Sequence, residues 1–295
     1  QVNADLLAHG IEFLQDTYGK QLIPFDSLTP DDIVMIPAFG TTLEIEKKLN
    51  GMGISAEKYN TTCPFVEKVW NRSEVIAKKN YTIVIHGKPK HEETRATFSH
   101  ASANAASVVV RDMAEAKELA KYISGGKPAA DFYEAFKGQY SQGFDVTKDL
   151  QRIGVVNQTT MLASDTQAIA DHLKQVMMDT FKPADIEERF ADTRDTLCYA
   201  TNDNQSAVYG LLETDADLAI VVGGYNSSNT SHLVDLCEEK LSTYFINSEE
   251  KIISREKILH YDLHKKQERI TENYLPQNGG VRILITSGAS CPDAG

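Results

Sequence analysis

The sequence predicts an α/β protein built on parallel sheets. Three observations carry that expectation. Short, continuous apolar runs recur along the chain, as expected for strands covered on both faces. Amphipathic stretches with helical spacing lie between them. Strand, helix and strand in repeated order then define the class. At 295 residues, and with roughly 150 residues to a typical domain, the chain has room for about two domains and several separate cores.

In chain order, Ile33-Val34-Met35-Ile36 reads as a first buried strand. A helical stretch runs from Leu43 to Leu49. Gly51-Met52-Gly53-Ile54-Ser55-Ala56 matches a dinucleotide-loop spacing, but it comes after a helix rather than a strand and is a chance match. Pro64, directly after Cys63, suits the first position of a helix running through Val66 and Val69 towards Lys79. Ile83-Val84-Ile85, Val108-Val109-Val110 and Ile153-Gly154-Val155-Val156 read as further strands. Ile169, Leu173, Val176 and Met177 share one face of a helix. Leu218 to Val222 and Ile283-Leu284-Ile285 complete the strands, and Cys237 shares a core helical face with Leu233. Gly125 to Asp149 interrupts the alternation and reads as an insertion, and the heavily charged Glu249 to Gly280 reads as a second irregular segment. No close internal repeat links these units.

Composition excludes several classes. Hydrophobic residues at 41% and charged residues at 24% are those of a folded globular chain. The net charge of −12 repels nucleic-acid backbones and anionic membranes, so neither is expected as a partner. An anionic ligand must therefore be held by local features. Four widely spaced cysteines, Cys63, Cys198, Cys237 and Cys291, fit neither a disulfide-stapled domain nor paired Cys-x-x-Cys zinc sites. No apolar run approaches the roughly 20 residues that span a bilayer. The opening Gln1-Val2-Asn3-Ala4-Asp5 lacks a signal-peptide pattern and an initiator Met, which suggests a trimmed chain.

The loops at the strand ends are the informative feature. Ile36 leads into Pro37-Ala38-Phe39-Gly40-Thr41-Thr42, Val156 into Asn157-Gln158-Thr159-Thr160, and Val222 into Gly223-Gly224-Tyr225-Asn226-Ser227-Ser228-Asn229-Thr230-Ser231. In open α/β sheets, ligands bind at the carboxyl ends of strands, where helix N-termini favour anions. Such Ser, Thr and Asn residues also serve as ordinary N-caps. The segment from Asn226 to Ser231 nevertheless supplies more donors than one cap needs, and a phosphate-bearing ligand fits them. No P-loop sequence is present. Cys63 and Cys198 each stand where a helix begins, and a helix dipole lowers a thiol pKa there. His91 and Glu93 share a loop after Ile85, read either as a proton relay to a ligand or as a solvated charged turn.

Taken together, Thr61-Thr62-Cys63-Pro64, His86-Gly87-x-x-x-His91-Glu92-Glu93-Thr94, Asn157-Gln158-Thr159-Thr160-Met161-Leu162, Cys198-x-Ala200-Thr201, Gly223 to Leu233 and Thr286-Ser287-Gly288-Ala289-Ser290 resemble the successive signatures of the LytB (IspH) family of hydroxymethylbutenyl diphosphate reductases. The blocks keep the family's order from about Asp32 to the C-terminus, and the Ala38-Phe39-Gly40 loop and the 125–149 insertion resemble its plant and cyanobacterial branch.

The resemblance implies a trefoil of three α/β lobes with small, mostly parallel sheets around a central iron–sulfur cluster. Here the lobes would be residues 1–63, 64–197 with the insertion 125–149, and 198–295. It implies a [4Fe–4S] cluster held by three cysteines, of which Cys63 and Cys198 match two and a third is expected upstream of Gln1. Glu93 matches the family's proton-delivering carboxylate, Thr159 lies near the substrate hydroxyl, and His91 lies near the diphosphate. Ser227, Ser228, Asn229 and Ser290 match the diphosphate cradle. The implied reaction reductively removes the hydroxyl of (E)-4-hydroxy-3-methylbut-2-enyl diphosphate, giving isopentenyl and dimethylallyl diphosphate at the end of the non-mevalonate isoprenoid pathway. Ferredoxin or flavodoxin is the expected electron donor, and the bacterial cytoplasm or the plastid stroma the expected location. Three departures accompany the match. The family's Gly-Phe-Cys-like segment has no counterpart, its His-Asn-x-x-Val motif retains only Val2, and Phe39 stands where another branch has a phosphate-contacting His. The chain also stops shortly after Cys291, so it is expected to be truncated at both ends. Two rival readings are a cluster-free diphosphate-binding module and a zinc hydrolase using Cys63, Cys198 and His91.

Overall fold

The computed structural model describes residues 2–191, 196, 198–276, 279–289 and 291. The chain divides into two compact units, Gln1–Thr159 with Asp165–Thr196, and Thr160–Ser164 with Leu197–Gly295. The first unit runs α1 (Val2–Ala8), α2 (Leu43–Gly51), α3 (Pro64–Ala77), β1 (Thr82–His86), α4 (Glu92–Ser102), β2 (Ser107–Val110), α5 (Met113–Ile123), α6 (Ala129–Ala135), α7 (Val146–Asp149), β3 (Ile153–Asn157), most of α8 (Ala163–Phe181) and β4 (Phe190–Ala191). Its sheet is entirely parallel, in the order β2-β1-β3-β4.

Central strand β1 explains why its middle, Ile83-Val84-Ile85, is apolar. Val84 packs with Leu119 of α5 and Leu173 of α8 in one core. Its neighbours Ile83 and Ile85 join Val69 and Ile76 of α3 in another. A strand with helices on both faces has no side left for polar residues. The 125–149 segment is more than an insertion. The N–H of Val109 donates to the carbonyl of Gln139 at 2.7 Å, and that of Ser141 to the carbonyl of Ser107 at 2.9 Å, so the segment covers edge strand β2. Phe132, Phe136 and Phe144 from it enter the same core as Val84.

The expected strand at Ile33–Ile36 does not form as such. Ile36 makes a single parallel bridge to Asn60. Val34 and Ile36 are buried with Leu49, whereas Ile33 and Met35 are 70% and 60% exposed. An apolar run that is covered on one face only does not build a two-sided strand.

The second unit contains α9 (Tyr199–Leu212), β5 (Leu218–Val222), α10 (Ser228–Glu238), β6 (Ser242–Ile246), β7 (Lys257–Asp262), β8 (Gln267–Glu272) and β9 (Ile283–Ser287). The sheet order is β8-β7-β6-β5-β9. Strands β6, β5 and β9 are parallel, and β7–β8 add an antiparallel hairpin. The segment expected to be irregular, 249–280, therefore contains that hairpin. Strand β9 lies at the sheet edge with Ile285 65% exposed, so it is not covered on both faces as its sequence suggested. The expected α/β class holds in both units, with the first sheet wholly parallel and the second mixed.

Candidate functional site

In the first unit the site is assembled at the carboxyl ends of β1 and β3. His86 ends β1, and the next loop delivers His91 to the N-cap of α4. The backbone N–H of Glu93 donates to His91 Nδ1 at 3.2 Å, which leaves the ring proton of the neutral imidazole on Nε2. Burial, with Lys88 and Arg95 adding like charge, pushes the His91 pKa down to about 4. His91 is thus a neutral donor at physiological pH. The edge of Phe39 meets its ring at a centroid distance of 5.1 Å.

Glu93, in the first turn of α4, is fully buried. The backbone N–H of Thr159, just past β3, donates to its Oε1 at 2.5 Å. Its Oε2 is buried without a hydrogen-bond partner. Burial outweighs the stabilising hydrogen bonds from Thr159, and the carboxyl pKa rises to about 7. A carboxyl group in this state is about half protonated near pH 7, so it can hold or release a proton there, and it has an unengaged oxygen from which to donate it. The solvated-turn reading of His91 and Glu93 therefore fails on burial.

Gln158, which sequence reasoning left without a role, fixes this arrangement. Its Oε1 accepts from the backbone N–H of Lys88 at 3.1 Å and from the Thr94 hydroxyl at 2.8 Å. Gly87 permits the close approach, because a Cβ there would lie 2.6 Å from Thr94 Oγ1. Asn157 accepts the Thr196 hydroxyl at 2.6 Å. Asn157 and Gln158 stand beside Thr159 in one motif block, but the block by itself gives no signal of these roles.

Cys63 is the N-cap of α3, with its N–H donating to the carbonyl of Ala38 at 2.9 Å. In the second unit Cys198 is the N-cap of α9. Both are free thiols, partly exposed, and neither side chain caps its helix. Such positions suit a metal-binding thiolate. Cys237 is the opposite case, fully buried, with burial pushing its pKa up to about 11. Its reading as a core residue holds. Among the described residues, no group of three or more His, Cys, Asp or Glu side chains could by itself hold a metal ion. Each N-cap cysteine by itself suits a thiolate ligand, and two cysteines do not make a set of three.

The second unit also carries the Ser/Asn-rich turn after β5. Ser227 is the N-cap of α10 and accepts from the Thr230 N–H at 3.3 Å and the Thr230 hydroxyl at 2.9 Å. Ser228 and Asn229 are 5% and 4% exposed. The Ser228 hydroxyl and both amide atoms of Asn229 are buried without hydrogen-bond partners. Such groups carry a desolvation penalty unless a ligand meets them. Thr230 nests against the β9 loop, where a Cβ on Gly288 would lie 2.0 Å from its Oγ1. Ser290, expected in the same cradle, lies outside the described residues. Gln205 of α9, another residue without a motif signal, holds the 161–163 segment by accepting from Ala163 N–H at 3.0 Å and donating to the Met161 carbonyl at 3.1 Å.

Two α/β units, with a buried carboxyl of raised pKa, free N-cap thiols and unpartnered buried donors near their helix N-termini, define the class of protein. The chain belongs to the LytB protein family, which matches residues 1–295. Two cyanobacterial relatives are both called 4-hydroxy-3-methylbut-2-enyl diphosphate reductase. The one from Picosynechococcus sp. is 40% identical over 293 residues, covering 99% of this chain and 70% of the relative. The one from Crocosphaera subtropica is 41% identical with the same coverage of 99% and 70%. The fold is similar to that of the E-1-hydroxy-2-methyl-but-2-enyl-4-diphosphate reductase from Plasmodium falciparum, with a TM-score of 0.60 and 21% identity over 92% of this chain and 67% of that one. No helix among the described residues is long and apolar enough to cross a membrane.

Proposed function

We propose that this chain carries the catalytic machinery of a 4-hydroxy-3-methylbut-2-enyl diphosphate reductase. The observation that carries the reading is Glu93, a buried carboxyl with a pKa of about 7 and an unpartnered Oε2. Cys63 and Cys198 would hold a [4Fe–4S] cluster together with a third cysteine expected upstream of Gln1. When bound, the cluster supplies the two electrons that the reaction consumes, delivered by a ferredoxin or flavodoxin.

The chain's own residues do the rest. Ser227, Ser228 and Asn229, with Ser290, bind the substrate diphosphate through neutral donors and the N-terminal dipole of α10. The buried, unpartnered atoms of Ser228 and Asn229 support this assignment. Neutral His91 donates from Nε2 to the same anion, and Thr159 orients the substrate hydroxyl. Glu93 gives its Oε2 proton to the departing oxygen, which leaves as water. With two electrons and a second proton, the C–OH bond is replaced by C–H, giving isopentenyl or dimethylallyl diphosphate.

The test is anaerobic reconstitution of the full-length protein with iron and sulfide, then assay with a chemical electron donor. Consumption of 4-hydroxy-3-methylbut-2-enyl diphosphate with formation of both products is expected. Colourless protein that binds diphosphate would identify a binding module instead. Tight zinc without redox activity would identify a hydrolase.

A further inference from the structure

The turn that carries the proposed cradle is tied by backbone at its two ends, and its middle is held by one large side chain. Gly223 and Gly224 precede it, and the space around Gly224 is open. At its start the Gly223 N–H donates to the Ile246 carbonyl, and at its end the Ser227 N–H donates to the Gly224 carbonyl, both at 2.9 Å. Ser228 Oγ and the Asn229 amide have no hydrogen-bond partners to fix them. Tyr225 is the large side chain in this turn, and it is engaged on three sides. Its ring stacks on Tyr261 of β7 at 4.4 Å and 15°. It meets Phe245 of β6 edge-on at 5.1 Å and 82°. Its hydroxyl donates to Glu268 of β8 at 2.9 Å, and Lys251 lies 2.7 Å from the same oxygen.

These partners form one rung of the sheet. Phe245 pairs with Tyr261, and Tyr261 pairs with Glu268, across β6, β7 and β8. Residues directly opposite on neighbouring strands present their side chains to the same face. The rung thus offers an aromatic floor and an acceptor on one side of the sheet, and the Tyr225 ring fills it. Without the hairpin, the parallel sheet would end at β6 and Tyr225 would lose both its stacking partner and Glu268.

We propose that the β7–β8 hairpin positions the α10 anion cradle, with Tyr225 as the positioning residue that links them. The inference rests on the cradle assignment above. Tyr225 touches no substrate in this role. It fixes where Ser228 and Asn229 stand before the diphosphate arrives, and preorganisation of this kind is read in binding.

The test uses the full-length holoenzyme with inorganic diphosphate as a competing ligand. Tyr225→Leu removes both stack and hydroxyl, and should weaken diphosphate binding and raise KM by about tenfold or more. Its kcat should stay within about twofold, with the cluster absorbance unchanged. Tyr225→Phe keeps the stack and should lose only about threefold, the effect of one exposed hydrogen bond to the Glu268 carboxylate. It also tests the link if Tyr225→Leu fails to fold. Combined with Ser228→Ala, Tyr225→Phe should be less than additive, because both act on one cradle. Two outcomes overturn the proposal and are distinguishable. If Ser228→Ala weakens diphosphate binding while both Tyr225 variants bind normally, the hairpin is not a positioning device. If Ser228→Ala itself binds diphosphate normally, the cradle assignment fails and this inference falls with it.

Discussion

Replacing Glu93 with Gln removes a transferable proton while keeping shape and hydrogen-bonding capacity, and its consequences can be sized from the structure. The carboxyl pKa rises from 4.5 to about 7, chiefly because the group is buried. At 1.36 kcal/mol per pKa unit, that displacement amounts to about 3 kcal/mol. The folded value lies above the unfolded one, so the contribution to stability is fully present below pH 4.5 and is lost as the pH rises through about 7. His91 runs the opposite way. Its folded pKa of about 4 lies below 6.5, so its contribution is present above pH 6.5 and is lost as the pH falls through about 4. In the parent protein the two slopes oppose each other over the shared window. Glu93→Gln removes one of them, and the stability of the variant relative to the parent should rise by about 3 kcal/mol from acid to mildly alkaline pH. Urea denaturation of both proteins across that range measures the difference. The infrared band of a protonated carboxyl, present in the parent and absent in the variant, should titrate near pH 7. Turnover of the variant with an intact cluster should fall at least about 100-fold, within the usual range for a positioned proton donor. A carboxyl midpoint near 4.5, or a near-parental rate, would refute the assignment and move the proton source to His91 or water.

The same geometry sets three further outcomes. Cys198→Ser should abolish the brown colour of the full-length holoprotein while Cys237→Ser leaves it nearly unchanged, because Cys198 is a partly exposed N-cap and Cys237 is fully buried in the core; equal loss in visible absorbance and iron content would contradict this division. Ser228→Ala and Asn229→Ala should each weaken diphosphate-substrate binding by about 1–3 kcal/mol, the scale for hydrogen bonds to charged groups, without affecting cluster assembly. Calorimetric titration checks this, and normal affinity in the double variant would remove the turn from the site. Gly87→Ala places a Cβ 2.6 Å from Thr94 Oγ1, and this overpacking should destabilise the protein by about 1–3 kcal/mol and raise KM by displacing His91. An unchanged melting temperature and KM would show that the loop yields freely.

The parts of the fold legible in the sequence are those where burial leaves no ambiguity. Strands β1, β2, β3 and β5 are almost wholly buried, so each is an unbroken apolar run. The β7–β8 hairpin was illegible because β8 is a charged edge strand with most side chains exposed, and Gln267 to Glu272 reads like a loop. Ile33 to Ile36 misled in the other direction, because its pattern is apolar but only Asn60 pairs with it. Within the site, Glu93, His91 and Thr159 were legible from motif order. Gln158 and Gln205 were not, because each acts on loop backbone through a side-chain amide, a role with no sequence spacing of its own.

The way helices begin in this protein separates ordinary caps from the residues proposed above to meet a ligand, a distinction that composition left open. Helices α2, α5 and α7 start at Thr42, Asp112 and Asp145, and each side chain accepts a first-turn N–H. These are ordinary caps, each worth about 0.5–2 kcal/mol. Helices α3 and α9 start instead at Cys63 and Cys198, whose side chains make no capping bond. A sulfur at that position forgoes the stability a Ser or Asp would give, but it stands where the dipole favours a thiolate. Ser227 belongs to both groups. Its hydroxyl oxygen caps α10, so the cap reading is right for that atom, yet its hydroxyl hydrogen remains free to donate. The cap reading then fails for the next two residues, because the Ser228 hydroxyl and the Asn229 amide are buried, unpartnered and unnecessary to a helix already capped. Helix initiation does not account for burying those atoms, and the diphosphate site proposed at the α10 N-terminus would give them partners.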